Sequence, residues 1–178
     1  MRRRQRLVGV VALTPFIIAL AFGNPAIAAG PPLAAEGKRA TLVLVEKAER
    51  RLSLYRDGEV IKTYDVALGS DPVGTKERQG DSRTPEGRYI IDLKNDASRF
   101  HLSLRISYPD AADRARAAAS GVSPGGDIFV HGLPNGYDWL GAAHRARDWT
   151  DGCIAVTDAE IEEIWSLVAI GTPIEIRP

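Results

Sequence analysis

Residues 41–69 read TLVLVEKAERRLSLYRDGEVIKTYDVALG, and this stretch decides the fold class. Apolar and polar residues alternate along it, which is the pattern of a strand with one buried face. Asp57 and Gly58 separate an apolar run at 52–55 from a second run at 60–68, and this dipeptide is typical of a tight hairpin turn. The stretch therefore predicts the start of a β-meander.

Further strands and two short helices are expected downstream. The predicted strands are 88–93 (RYIIDL), 100–107 (FHLSLRIS, with Phe100 on the apolar face), 127–131 (DIFVH), 150–156 and 172–177. The Ala-rich run 110–120 before Gly121 predicts a short helix. Thr157 and Glu160 form a capping-box pattern that begins a second helix, with Gly171 at its end, and the stretch 132–148 is expected to be irregular. Together these elements predict a mainly β domain with short helices.

The amino terminus has the three parts of a secretory signal peptide. Arginines stand at positions 2, 3, 4 and 6, an apolar run covers 7–22, and Ala26-Ile27-Ala28 forms the cleavage pattern. We therefore assign 1–28 to a signal peptide, 29–39 to a short linker and 40–178 to one folded domain. The apolar run contains Pro15 and is shorter than the ~20 residues of a membrane span, so an uncleaved anchor is the alternative and no membrane span is expected after cleavage.

The charge balance argues against nucleic acid as a partner. The 178 residues carry 23 Lys and Arg against 23 Asp and Glu. Because four of the arginines lie in the predicted signal peptide, the remaining chain has 19 basic against 23 acidic residues. Its sequence shows no basic patch of the kind that follows phosphates.

The single cysteine of the chain, Cys153, cannot form an intramolecular disulfide. It is an inert buried thiol, one half of an intermolecular bridge, or a reactive nucleophile. Thr150, Asp151 and Gly152 precede it in a turn. The backbone N–H groups of Asp151, Gly152 and Cys153 are candidates to converge on one oxygen, which is what an oxyanion site requires.

His131 is the best placed of the three histidines to act as a base. It ends a predicted strand, is followed by Gly132 and lies 22 residues before Cys153. Neighbouring strand ends can bring a thiol and an imidazole together without sequence adjacency. The alternative is an ordinary surface histidine, and the same choice between surface and cleft applies to His101 and His144.

At this point several ordered motifs resemble the L,D-transpeptidase catalytic domain (YkuD family). His131-Gly132 followed by Thr150-Asp151-Gly152-Cys153-Ile154 is similar to the HG…[ST]xGC[IV] signature. Thr84-Pro85-Glu86-Gly87 resembles the upstream TPxG element, and GTPIEI at 171–176 is similar to the closing strand. The resemblance covers 40–178 and implies a curved β-sandwich.

The resemblance also implies a function, that of a peptidoglycan L,D-transpeptidase in the periplasm or cell envelope, with no cofactor and no metal. Cys153 would attack a tetrapeptide stem and release D-Ala, His131 would act as general base and acid, and the Gly132 carbonyl would orient the ring. The implied partners are peptidoglycan stem peptides and an outer-membrane lipoprotein, because the amine acceptor in the family is a diaminopimelate side chain or a lipoprotein lysine.

One position departs from the family pattern. The family has arginine two residues after the cysteine, whereas this chain has Ala155 in GCIAV. A substrate carboxylate, or the loop that the arginine would brace, must then be held in another way. The candidate substrate-binding residues are Arg105, Arg145, Arg147, His101, Trp149 and Thr150.

Three alternatives remain open. An L,D-carboxypeptidase or amidase would use water as the acceptor in place of an amine. A zinc peptidase would use Asp151 with one or more of the three histidines, although their spacings match no compact motif such as HExxH. A non-catalytic wall-binding module would not use the thiol at all.

Overall fold

The computed structural model describes residues 30–178, so the predicted signal peptide and position 29 lie outside the described residues. Within this range the chain forms eight strands, two α-helices and two 3₁₀ segments. They are β1 (Leu42–Glu46), β2 (Arg51–Arg56), β3 (Glu59–Asp65), β4 (Gly87–Ser98), β5 (His101–Ile106), α1 (Ala111–Ala119), β6 (Phe129–His131), β7 (Ile154–Ala155), α2 (Asp158–Leu167), β8 (Pro173–Arg177), and the 3₁₀ segments Glu36–Lys38 and Asp138–Ala146. The predicted mainly β class with short helices is confirmed.

The strands form one curved sheet in the order β3-β2-β1-β8-β4-β5-β6-β7. The long strand β4 belongs to both halves of this sheet, since its first four residues pair with β8 and the rest pair with β5. Ala67, just after β3, and Ala155 in β7 exchange two backbone hydrogen bonds of 2.9 and 2.8 Å. The two ends of the sheet therefore meet, and the sheet encloses its own core.

The core is aliphatic and is completed by one face of α2. Strand residues such as Leu52, Ile91 and Leu104 are fully buried inside the sheet. Ile161 and Ile164 of α2 pack into the same cluster. Burying each such side chain stabilises the fold by roughly 1.5–3 kcal/mol.

Both predicted helix starts have the expected capping chemistry. Thr157 accepts a hydrogen bond from the Glu160 backbone N–H, and the Glu160 side chain accepts one from the Thr157 backbone N–H. Asp110 and Asp113 make the same reciprocal pair at the start of α1, and Gly121 follows that helix with a φ of 67°. These caps satisfy N–H groups that a helix start leaves without a partner.

Several boundaries differ from the sequence-based expectation. Strand β4 runs to Ser98 because it pairs on both sides in turn, whereas β7 contains only Ile154 and Ala155. Helix α2 ends at Leu167, and Gly171 lies in the turn that follows. The segment expected to be irregular contains short 3₁₀ turns on either side of Gly141, whose φ is 45°.

The segment assigned to a linker runs alongside α2. Ala34 donates a backbone hydrogen bond to Ser166 at 2.8 Å, and Ala40 donates one to Leu167 at 2.9 Å. None of the helices within 30–178 combines the length and the apolar character needed to cross a membrane.

Candidate active site

The parallel pairing of β6 with β7 brings Cys153 and His131 into one region, since His131 pairs with Ala155, two residues after Cys153. His131 is the last residue of β6, and Cys153 directly precedes β7. Both side chains line a groove of about 660 Å³, which we call the aromatic groove. Its other lining residues include Phe100, Ser103, Arg105, Phe129, Trp149 and Thr150. The structure thus brings the two candidate catalytic residues to one surface.

The His131 ring is fixed in a single tautomer. Its Nδ1 donates a hydrogen bond to the Gly132 carbonyl oxygen at 2.7 Å. A carbonyl oxygen can only accept, so the proton stays on Nδ1 and the lone pair of Nε2 is left to accept a proton. The Phe100 ring packs on the imidazole with its centroid 4.5 Å away.

Burial also fixes the charge of His131. Only 3% of the residue is exposed. This burial lowers the pKa of His131 to about 4, although the hydrogen bond to Gly132 works in the opposite direction. The ring is therefore neutral at neutral pH and able to act as a base.

The Cys153 thiol is held in its neutral form. Burial raises the pKa of Cys153, and the Phe129 backbone N–H only partly offsets this effect. In the structure, Sγ lies 3.8 Å from the carbonyl oxygen of Asp127. The groove therefore holds both a neutral thiol and a neutral imidazole, and the thiol needs a base to become a nucleophile.

Thr150 braces the turn that carries the nucleophile. Its hydroxyl donates to the Cys153 carbonyl oxygen at 2.7 Å and accepts from the Gly152 N–H at 3.1 Å. The Gly152 N–H, expected in an oxyanion site, is thus already used. The N–H groups of Asp151 and Cys153 have no acceptor in residues 30–178, and these two remain to receive an oxyanion.

Gly152 is required by the packing behind the nucleophile. Its φ is 126°, and a Cβ at this position would collide with the carbonyl oxygen of Arg83. The loop that ends at Arg83 is held by the TPxG element, since Thr84 accepts the Gly69 N–H at 3.1 Å and its own carbonyl accepts from Lys47 at 3.1 Å. The TPxG element therefore supports the nucleophile from behind.

A second groove, of about 530 Å³, reaches Cys153 from the other side. We call it the lysine groove, and its lining includes Lys76, Gln79, Ser82, Ser123, Gly125, Asp127, Ile128, Asp151 and Cys153. Asp127, Asp151 and Cys153 line both grooves. The nucleophile therefore stands where two separate grooves meet.

Three of the candidate substrate-binding residues are not placed in either groove. His101 contacts Glu162 through Nε2 at 2.8 Å. Arg145 forms an ion pair with Glu160, and Arg147 lines a separate apolar pocket. His101 and Arg145 are held by these contacts, and Arg147 lines neither groove, whereas the other three candidates, Arg105, Trp149 and Thr150, do line the aromatic groove.

The structure gives a physical reason for the missing arginine at Ala155. Ala155 is fully buried directly opposite Ala67, which is 1% exposed. The loop of residues 132–148 is held by other arginines, because Arg145 pairs with Glu160 and Arg50 pairs with Asp148 at 2.8 Å. Bracing of the loop thus does not need a guanidinium at 155.

The histidines do not assemble a metal site. Among residues 30–178 there is no group of three His, Cys, Asp or Glu side chains positioned to hold a metal ion. His144 lies beneath Trp149, whose Nε1 donates to its Nδ1 at 3.3 Å. The geometry therefore does not favour the zinc-peptidase alternative.

Sequence reasoning missed Phe100 and Lys76. Alternation placed Phe100 on the apolar face of its strand, but β5 begins only at His101, whose φ of 61° turns Phe100 toward His131. Lys76 stands in a loop rich in Gly, Asp and Arg, where no periodic pattern indicates which side chain faces a groove. The positive φ of a histidine is not visible in the sequence.

Comparison with known proteins is consistent with this geometry. The family model for the L,D-transpeptidase catalytic domain (YkuD) matches residues 40–176. YafK of Escherichia coli strain K12, a protein provisionally named as an L,D-transpeptidase, is 32% identical over 133 residues, which are 71% of this chain and 46% of YafK. The chain thus spans about half the length of the curated relatives it matches.

Solved structures share the fold. The helical cell shape determining protein Pgp2 of Campylobacter jejuni aligns with a TM-score of 0.57 and 21% identity, covering 80% of this chain and 52% of Pgp2. The L,D-transpeptidase of Xylanimonas cellulosilytica aligns with a TM-score of 0.54 and 16% identity, covering 80% of this chain and 63% of that one.

Proposed function

The chain belongs to the L,D-transpeptidase catalytic domain (YkuD) family, and we propose that it is a peptidoglycan L,D-transpeptidase that works through a Cys153 acyl-enzyme. The observation that carries the proposal is the pairing, in one groove, of a thiol with a neutral imidazole whose tautomer is fixed by Gly132. This arrangement suits a thiol that becomes a nucleophile only when its proton is removed.

In the first half of the reaction, His131 Nε2 takes the proton of the Cys153 thiol. The sulfur attacks the carbonyl carbon of the donor stem, and the oxyanion that forms is received by the N–H groups of Asp151 and Cys153. The imidazolium then gives its proton to the nitrogen of the leaving D-Ala as the carbon–nitrogen bond breaks. The product of this half is a thioester on Cys153.

In the second half, an amine replaces D-Ala. His131 removes a proton from the amine, the new amide bond forms, and the carbon–sulfur bond breaks so that the thiolate regains its proton. Two grooves that meet at Cys153 support this assignment, because the aromatic groove can hold the acyl part while the lysine groove holds first the leaving residue and then the acceptor.

The proposed setting is the cell envelope. Two points favour a periplasmic location. One is the predicted signal peptide of residues 1–28, and the other is the peptidoglycan stem peptides that the family resemblance implies as substrates. A diaminopimelate amine is the proposed acceptor, and a lipoprotein lysine is the second candidate. Water as acceptor would make the protein an L,D-carboxypeptidase or amidase with the same first half-reaction.

Mass spectrometry of reaction products tests the proposal. The purified full chain is incubated with tetrapeptide muropeptides, and the products are compared with those of the Cys153→Ala variant. Cross-linked dimers with release of D-Ala are expected. Tripeptides alone would replace the transpeptidase assignment with a carboxypeptidase, and unchanged tetrapeptides would favour a wall-binding module.

A further inference from the structure

Two buried lysines, Lys47 and Lys76, differ in the number of hydrogen-bond acceptors that contact their ammonium groups. Lys47 Nζ contacts two backbone carbonyls and the Glu86 carboxylate at 2.5 to 3.1 Å, one acceptor for each of its three N–H groups. Lys76 Nζ has one acceptor in residues 30–178, Asp81 at 2.7 Å, although only 3% of its side chain is exposed. Because a buried N–H without an acceptor is costly, Lys76 is placed to meet acceptors that the protein does not supply.

Asp81 positions Lys76 without using up its binding capacity. The Asp81 carboxylate also accepts three backbone N–H groups at 2.8 to 3.1 Å. Burial raises the pKa of Asp81, but these hydrogen bonds and Lys76 outweigh that effect and bring the pKa to about 2. The carboxylate stays ionised, and it holds Lys76 in place while two N–H groups of Lys76 have no acceptor in residues 30–178.

Lys76 lines the lysine groove together with Cys153. The groove also has acidic side chains, but Asp151 and Asp127 are exposed, and Asp127 lies 4.0 Å from Arg105. Exposed charges are screened by water and salt, whereas a buried ammonium is screened much less. Asp81 balances the charge of Lys76, so the interior of the groove offers N–H donors of Lys76 close to the nucleophile rather than a net positive charge. A carboxylate, which only accepts hydrogen bonds, matches these donors.

We propose that Lys76 binds the terminal carboxylate of the residue that leaves the donor stem, and that this contact selects donors with a free carboxyl terminus. The inference rests on the proposed function, because it assigns the leaving residue to the lysine groove. That carboxylate is attached to the carbon next to the leaving nitrogen, so it lies close to the attacked bond. The contact would supply the carboxylate-binding function that Ala155 cannot.

The test compares two peptides that differ in one charge. The full chain with Cys153→Ala is titrated calorimetrically with the tetrapeptide stem as the free acid and as the carboxyl-terminal amide. The amide is expected to bind about tenfold more weakly, the effect of losing one charge-assisted contact. With Lys76→Met added, the two peptides should bind alike, whereas Lys76→Arg should keep the preference.

Lys62→Met is the matched control, since Lys62 is a half-exposed lysine paired with Glu163 outside both grooves. This variant should keep the tenfold preference. Equal affinities for acid and amide in the protein that retains Lys76 would overturn the inference without any variant at 76, and so would a failure of the acid to bind. A preference that survives Lys76→Met would also overturn it.

The role of Lys76 and the proposed acyl transfer can be overturned independently of each other. Products formed from acid and amide at equal rates would overturn the role of Lys76 and leave acyl transfer in place. Binding that discriminates acid from amide, without any product from the unaltered chain, would overturn acyl transfer and leave the carboxylate site.

Discussion

The aromatic groove and the lysine groove meet at Cys153 but are built from different parts of the fold. The aromatic groove lies on β5 and β6, whose backbones are fixed by strand pairing. The lysine groove is made largely of loop segments held by side-chain hydrogen bonds such as that between Lys76 and Asp81. His131 is kept neutral by burial, whereas Asp81 is kept charged by its partners. The proposed base, His131, thus lies on a rigid strand, and the proposed carboxylate-binding residue, Lys76, lies on a loop.

The largest expected effect on activity comes from replacing either Cys153 or His131. Cys153→Ala should abolish product formation, and His131→Ala should lower kcat/KM by roughly 10³-fold or more, because no other histidine lines the aromatic groove to accept the thiol proton. Initial rates of D-Ala release measure both effects.

His101→Asn is the control for this pair. The His101 side chain contacts Glu162 rather than the groove, and Asn tolerates the φ of 61° at this position, so the substitution should leave the rate within about twofold. Activity of His131→Ala within tenfold of the unaltered protein would contradict the role given to the ring.

As the pH falls, the contribution of His131 to the free energy of unfolding should be lost before that of Asp81. Burial holds the pKa of His131 at about 4, below the 6.5 of a free histidine, so unfolding takes up a proton between these values. The stability that the neutral ring contributes is fully present above pH 6.5 and is lost as the pH falls toward 4, by about 3 kcal/mol in total.

The Asp81 contribution is lost in a lower window. Its pKa of about 2 lies below the unfolded value of 3.8, so its stabilising effect is present above pH 3.8 and is lost as the pH falls toward 2. Urea unfolding at a series of pH values measures both windows. His131→Gln should reduce the slope between pH 6.5 and 4, where His144, whose pKa burial also lowers, still contributes. A slope unchanged by the substitution would show that burial does not lower the pKa of His131.

The sequence predicts the local elements better than the grooves. The hairpin at Asp57-Gly58 and the capping box at Thr157 depend on neighbouring residues, and both are present as expected. The lysine groove depends on where a long loop runs across the sheet, which no local pattern encodes. The same is true of Phe100, whose contact with His131 follows from a backbone turn at His101.

A smaller effect on activity is expected from removing the Phe100 ring that packs on His131. Phe100→Ala should expose the imidazole to water, raise the pKa of His131 from about 4 toward 6.5 and lower kcat/KM by about tenfold. The acidic limb of the pH–rate profile would move to higher pH. Tyr137→Ala, which removes an exposed aromatic ring outside both grooves, should leave the profile unchanged. An unmoved acidic limb in Phe100→Ala would show that the stack does not set the charge of the ring.

The smallest effect is expected at Arg147. Arg147 lines neither groove; its side chain lines an apolar pocket beside Tyr137 and Leu140, which shares Trp149 with the aromatic groove. Arg147→Ala should therefore leave KM for the tetrapeptide within about twofold, as is usual for a surface substitution. A sharp rise in KM would place the substrate across this pocket and would break the two-groove description.

The intact mass of the protein tests the central claim most directly. The full chain is mixed with a tetrapeptide stem whose diaminopimelate side-chain amine is acetylated, so that no amine acceptor is present, quenched in acid within seconds and analysed by mass spectrometry. We expect a mass increase equal to the donor stem without D-Ala, located on Cys153 and absent from Cys153→Ala. Release of D-Ala with no adduct at any quench time, and with equal release by Cys153→Ala, would contradict the acyl-enzyme.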